Sequence, residues 1–191
     1  INIYSSGYEN QWPILTQLDN VSFPIHYSNL PSQIQTKDLS EFSSDFIAAT
    51  GIDDFSIEFV LLHHPGGAYG CKFSHRGVKV AFLFDHEITS LDLGPKRQEW
   101  LSLISDCSMV VHDLQYTSGV DEQYRGWGHT FDKDLSNLLK GTSINNLLLF
   151  GHGPDDSDQF VDERVKSIQH DLGSSCLVSA AREKTEWYHA E

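Results

Sequence analysis

Residues 60–73, Val-Leu-Leu-His-His-Pro-Gly-Gly-Ala-Tyr-Gly-Cys-Lys-Phe, run from an apolar segment through two adjacent histidines into a Pro-Gly-Gly turn, then into an alternating segment. A short apolar run stopped by Pro and Gly reads as a strand, and the alternation after it as a second strand. The pattern continues on both sides. Residues 56–62 form the first strand, residues 68–73 the second, His75-Arg76-Gly77 a turn, and the apolar residues 78–84 a third strand. Together they predict an antiparallel meander.

Beyond the meander the texture changes. Pro95 suits the first turn of a helix reaching about Ile104, with Trp100, Leu101 and Ile104 on one face. Residues 108–112 read as a buried strand, 130–139 as a helix ending at Gly141, 146–150 as a strand, 157–172 as a helix ending at Gly173, and 176–180 as a last strand. Strands in succession followed by alternating strands and helices predict an α/β protein with mixed sheets and helices packed outside. Upstream of residue 50, Pro13, Pro24 and Pro31 among many Ser, Asn and Gln predict short, irregular, partly exposed pieces joined by loops.

The chain of 191 residues, 39% hydrophobic, is the right size for a single domain spanning residues 1–191. Ile1-Asn2-Ile3-Tyr4 alternates like a strand already under way and no initiator Met precedes it, so the domain is expected to lack its N-terminal part. Thirteen Lys and Arg against 27 Asp and Glu give a net charge of -14, which excludes a general nucleic-acid-binding surface. The longest apolar runs, such as residues 147–150, are too short to span a bilayer, and the expectation is a chain without membrane contact. Cys71, Cys107 and Cys176 form no close pair or metal-type spacing, which points to buried thiols and a reducing, cytoplasmic setting.

The chemistry concentrates after the strands. Open sheets display reactive residues at strand ends, and four ends here carry His or Asp: His63-His64, Asp85-His86, His112-Asp113 and His152. A fifth group, Gly126-Trp127-Gly128-His129, sets a histidine just before a helix. Imidazole nitrogen and carboxylate oxygen are the ligands of Zn, Mn or Fe in hydrolytic sites, and two such ions would activate a water between them. Bland readings stand beside these. Adjacent strand residues face opposite ways, so one of His63 and His64 points away from any site. His86 and His112 are expected to be solvent-facing neighbours of the acids. Asp113 reads as a turn residue or as a group orienting a histidine. An acid closing the apolar strand at Asp85 is costly unless paired, capped or metal-bound. Asp155-Asp156-Ser157-Asp158 reads as the acidic first turn of the last helix.

Taken together, residues 60–70, 82–87, 112–117, 126–130, 147–158 (Leu-Leu-Leu-Phe-Gly-His-Gly-Pro-Asp-Asp-Ser-Asp) and 178–183 resemble, in order, the metallo-β-lactamase superfamily, in its phosphodiesterase-type hydrolase branch. The likeness covers roughly residues 55–183, with a weaker echo in residues 23–31. It implies a partial or complete αββα sandwich with a metal site at one edge of the sheets, where metal-activated water attacks a phosphodiester or related ester.

The resemblance places metal ligands on His64, before Pro-Gly-Gly, which makes His63 the neighbour expected to face away, and on Asp85, the bridging carboxylate; His152 is a third candidate. It places a substrate-contacting or proton-donating residue on His129, lists Asp113 with it among the catalytic groups, and lines the cleft with Gln115, Tyr116 and Trp127. The cofactor implied is one or two divalent ions, Zn or Mn, and the substrate a small-molecule or nucleotide phosphodiester. Two departures stand out. The family's His-x-His-x-Asp-His motif is absent, and His26, His63-His64 and His75 cannot replace it by spacing. Where relatives carry the last ligand, in a Phe-His-His context, this chain has Phe150-Gly151-His152, and glycine offers no ligand atom. A homo-oligomer or an additional chain segment could complete the site. The alternative is a degenerate, non-catalytic relative that serves as a ligand-binding or protein-interaction module.

Overall fold

The structure, a computed structural model, describes residues 2–5, 21 and 24–188. They fall into two compact units, Ile1–Phe55 and Ser56–Glu191. In the first, strand β1 (Asn2–Ser5) pairs in parallel with β2 (Gln35–Asp38), from Asn2 opposite Gln35 to Ser5 opposite Asp38. A capping box then starts a helical segment: the Asp38 carboxylate accepts from Ser40 N–H at 2.9 Å, while Glu41 accepts from Asp38 N–H at 3.1 Å. The segment continues as helix α1 (Phe42–Thr50) and stops at Gly51, whose left-handed φ of 70° is one that glycine adopts without strain. Phe42, Phe46 and Phe55 line up with ring centroids 6.2 and 4.3 Å apart, and Tyr4 meets Phe42 edge-on. This region is thus more regular than the prolines predict, because the Asp38/Glu41 box and the aromatic spacing override the polar composition. Pro13 lies outside the described residues.

The second unit is built on a six-stranded sheet in the order β3 (Phe55–Leu62), β4 (Ala68–His75), β5 (Val78–Leu83), β6 (Met109–Asp113), β7 (Asn146–Phe150), β8 (Leu177–Ala180). β4 and β5 are antiparallel, with Cys71 opposite Phe82 and His75 opposite Val78; β5 to β8 are parallel to their neighbours. The parallel register sets Leu83 beside His112 and Asp113 beside Phe150, so the carboxyl ends of β5, β6 and β7 open at one edge. The end of β3 is tied there as well, since Glu87 N–H donates to the His63 carbonyl at 2.8 Å.

The helices are α2 (Ser90–Leu93), α3 (Arg97–Ile104), α4 (Asp132–Leu139) and α5 (Asp158–Leu172). α5 packs on β8 and on α4. One apolar core joins them to the sheet. Leu83, Val110, Leu147 and Leu149 meet Trp100 and Ile104 of α3, Leu135 and Leu138 of α4, and Ile168 of α5. Each such side chain contributes about 1.5–3 kcal/mol by burial. Ser157 caps α5 by accepting from Phe160 N–H, and Asp158 sits in its first turn, as the acidic run predicts. Among the described residues no helix is long and apolar enough to cross a membrane.

Candidate functional site

At the end of β3 the chain turns through Pro65-Gly66-Gly67, where Gly67 N–H closes the turn on the His64 carbonyl at 2.9 Å and both glycines have φ near +84°. Nδ1 of His64 lies 2.9 Å from the Pro65 carbonyl. A carbonyl only accepts, so Nδ1 carries the proton and Nε2 keeps its lone pair for another partner. Asp85 follows β5 with a left-handed φ of 54°, an uncommon conformation for a residue with a side chain and one that gathers at functional sites. Its carboxylate is 58% exposed. His129, entering α4, completes the group: His64, Asp85 and His129 each offer a ligand atom within 4.8 Å of the other two. The sequence-predicted residues His64, Asp85 and His129 therefore converge.

The loop that delivers His129 is held by a residue the sequence reading passed over. Glu87, nearly buried, accepts the N–H of Gly126 on both carboxylate oxygens and that of Gly128 on Oε2, each at 2.9 Å. Gly126 and Gly128 have φ of +88° and +92°, and a Cβ on Gly128 would stand 2.3 Å from His64 Cδ2. Glycine is what lets the loop lie on the His64 ring. The acid in Asp-His-Glu and the two glycines around Trp127 were the available signals.

Asp113, buried at the end of β6, orients His129: its Oδ2 accepts from His129 Nδ1 at 2.9 Å and from Thr130 N–H at 3.3 Å. This hydrogen bond raises the His129 pKa above the ordinary imidazole value, against a smaller opposing effect of burial. Among the described residues Asp113 Oδ1 has no hydrogen-bond partner, though His112 Nδ1 lies 3.4 Å from it. Nearby, Tyr116 stacks on Tyr124 with centroids 5.2 Å apart and meets the His129 ring edge-on at 6.2 Å. Trp127 is 60% exposed and stands edge-on to Tyr124. The Gln115 backbone hydrogen-bonds to Thr130 through its N–H and to Arg164 through its carbonyl.

His152 stands apart from this group. Among the described residues neither of its buried ring nitrogens has a hydrogen-bond partner, and it belongs to no metal-ligating cluster. Burial, reinforced by the Arg164 charge, lowers its pKa; the Leu114 and Leu149 carbonyls offset this in part without meeting hydrogen-bond geometry. Gly151 lies against Asp113, where a Cβ would be 3.4 Å from Asp113 Cβ.

A second cluster takes up His63 and corrects the expectation for His86 and His112. His86 and His112 are fully buried, not solvent-facing, because the chain after β5 turns inward under α3, where the His86 ring lies 4.5 Å from that of Trp100. His63 does turn from His64, but it turns onto Asp92, with Nδ1 2.9 Å from Oδ2. The Asp92 carboxylate is fully buried and also accepts from Thr89 N–H at 2.7 Å, Thr89 Oγ1 at 2.8 Å and Trp100 Nε1 at 2.6 Å. Burial works to raise its pKa, but these hydrogen bonds prevail and hold it below the usual carboxylate value. His86 Nδ1 faces His112 Nε2 at 3.2 Å, and His112 Nδ1 faces the Asp113 carbonyl at 2.8 Å. Burial lowers the pKa of both rings. His63, His86 and Asp92 also offer ligand atoms within 4.8 Å of one another.

No protein-family model matches the chain, and no curated protein matches its sequence. Solved structures do. The chain is similar to the metallo-β-lactamase fold protein YhfI from Bacillus subtilis, with a TM-score of 0.63 at 12% identity over 97% of this chain and 63% of that one. It is similar also to unliganded yeast PDE1, with a TM-score of 0.59 at 15% identity over 95% of this chain and 58% of that one. The chain thus spans about three fifths of the length of either. What the likeness carries is the fold, and it agrees with the αββα-type architecture that the ordered motifs imply.

Proposed function

We propose that this chain, which has the metallo-β-lactamase fold, is a metal-dependent hydrolase of small-molecule or nucleotide phosphodiesters or related esters. The observation that carries the reading is the convergence of His64, Asp85 and His129 at the edge where the parallel strands end. The donors fit a zinc or manganese ion. His64 and Asp85 would hold it: the Nδ1 proton of His64 is engaged by Pro65, leaving Nε2 free, and Asp85 is open to solvent, while His129 stands beside them as the proton donor. An ion held there would lower the pKa of a water and polarise the phosphoryl oxygen.

The chain's own groups supply the rest. Asp113 fixes the His129 ring and favours its protonated form, which suits it to donate a proton to the departing oxygen. Glu87 holds the His129 loop against His64. Trp127, exposed and edge-on to Tyr124, which stacks on Tyr116, offers an open aromatic face against which a base or other planar group would rest. The binding-module alternative draws on Gly151, which provides no ligand atom where relatives of this type carry one.

Turnover of bis(4-nitrophenyl) phosphate by the purified chain with Zn²⁺ or Mn²⁺ tests the reading. Activity is expected to vanish with chelator and to fall at least about 100-fold in His64→Ala or Asp85→Asn. Absence of both metal binding and turnover would sink the enzyme reading, and ligand binding intact in His64→Ala would favour the module.

A further inference from the structure

Two strand ends carry adjacent chemistry-bearing residues, and the chain sends the members of each pair to different clusters. His64 and Asp85 join His129; their neighbours His63 and His86 join Asp92. Hydrogen-bond accounting in the inner cluster leaves one group unanswered. The Asp113 carbonyl can only accept, so His112 Nδ1 carries a proton, and in the neutral ring that burial favours, Nε2 is bare. Nε2 therefore accepts from His86 Nδ1–H at 3.2 Å, which leaves His86 Nε2 with a lone pair and, among the described residues, no hydrogen-bond partner. A buried acceptor left unanswered forfeits its hydration with nothing in return. Its cluster-mate Asp92 cannot answer it, because a carboxylate is also only an acceptor. Two acceptors drawn together inside a protein call for a cation between them.

We propose that His63, His86 and Asp92 form a second metal site, distinct from His64/Asp85/His129, for a zinc-class divalent ion. Two imidazole nitrogens and one carboxylate oxygen are a donor set zinc takes with a fourth position left open. Bonds of about 2.0–2.2 Å set donors roughly 3.4 Å apart around a tetrahedral ion, so a small inward adjustment of a group already within 4.8 Å closes the site.

The outer hydrogen bonds needed to aim the ligands are already made. Thr89 and Trp100 hold Asp92, and the Asp113 carbonyl holds His112, which holds His86. His63 is the adjustable member, with its side chain 33% exposed. Binding through Nδ1 exchanges its hydrogen bond to Asp92 for the metal and moves the ring's single proton to Nε2. Access exists too. His63 and Trp100 line a cleft of about 290 Å³ together with Glu58, Lys96 and Glu99. An ion here would pin the end of β3, the segment after β5 and α2 to one point, and so stiffen the backbone that carries His64 and Asp85.

The site stands whether or not the outer cluster binds metal, and the test separates them. The metal-free chain is titrated with Co²⁺ as a spectroscopic substitute for zinc, and melting is followed with and without Zn²⁺. In His64→Ala/Asp85→Asn, which removes two outer ligands, one equivalent of Co²⁺ is expected to remain, with the intense visible band of a four-coordinate ion, and Zn²⁺ is expected to raise the melting temperature. Adding His63→Ala, which leaves buried His86 and Asp92 in place, should weaken that equivalent at least tenfold and abolish the shift. X-ray absorption of the zinc-loaded outer variant should count two imidazoles, a readout that needs no further substitution. An outer variant that binds no Co²⁺, unchanged affinity after His63→Ala, or fewer than two imidazoles would each overturn the proposal.

Discussion

Gly128 lies so close to His64 that a Cβ on it would stand 2.3 Å from the imidazole Cδ2 and 2.5 Å from Pro65 Cδ. The same addition at Gly126, two residues earlier and at nearly the same φ, meets nothing within 4 Å. The two glycines thus separate backbone strain from collision. Gly126→Ala is expected to cost about 1–2 kcal/mol, from φ alone. Gly128→Ala adds an overlap of order 1–3 kcal/mol and displaces the His64 ring, so it should also weaken metal binding at the outer cluster at least tenfold. Denaturant unfolding and metal titration of both variants check this, and equal losses in the two would contradict it.

The His129–Asp113 pair gives a pH signature. Because Asp113 raises the folded-state pKa of His129 above its unfolded value near 6.5, the pair's stabilising contribution is full below about pH 6.5. It is lost as pH rises through the raised folded value. The stability difference between the metal-free chain and its Asp113→Asn variant should therefore be larger at pH 6 than at pH 9. The His129 ring resonances should titrate at lower pH in the variant. A pH-independent difference would argue against the pair.

Glu87 answers two backbone N–H groups with one carboxylate. Glu87→Gln keeps the shape but presents an amide N–H₂ to donors that need an acceptor. A loss of about 1–3 kcal/mol is expected, with faster amide exchange at Gly126 and Gly128. Unchanged exchange there would show that the loop holds itself.

Cys107 is buried and its thiol pKa is pushed up to about 11 by burial, with Asp106 adding to the shift. Thiolate is the reactive form, so at pH 8 alkylation should be at least about 100-fold slower than for an ordinary thiol with pKa near 8.5. Denaturant should restore the ordinary rate. Mass spectrometry of the native chain after brief iodoacetamide treatment should find Cys107 unmodified.

The strands of the meander, the later strand–helix alternation and the candidacy of His64, Asp85 and His129 were legible because each rests on a local signal; that these three meet in space was not. The local signals are alternation, a cap, or an acid or imidazole set after an apolar run. What was not legible depended on distance in the chain. Nothing around Asp92 announces that Trp100 and Thr89 will enclose its carboxylate, and His86 reads as exposed until α3 covers it. Glu87 looks like another surface acid in a chain of net charge -14. Its partners lie 39 and 41 residues on, and they are backbone groups that leave no mark on composition. α1 was missed for a different reason, since its capping box was written in Asp38 and Glu41 but surrounded by prolines and polar residues.

The turn at Gly151 makes the outer cluster open to engineering. A Cβ there meets only Asp113, at ordinary contact distance, so the backbone at position 151 has room for a Cβ beside the Asp113 that orients His129. Its φ of +67° sets the choice of graft, because aspartate and asparagine enter left-handed backbone more readily than branched or bulky residues do. A carboxylate is thus the donor that this backbone admits with least strain, and the number of ligands at the sheet edge becomes something a single codon can tune.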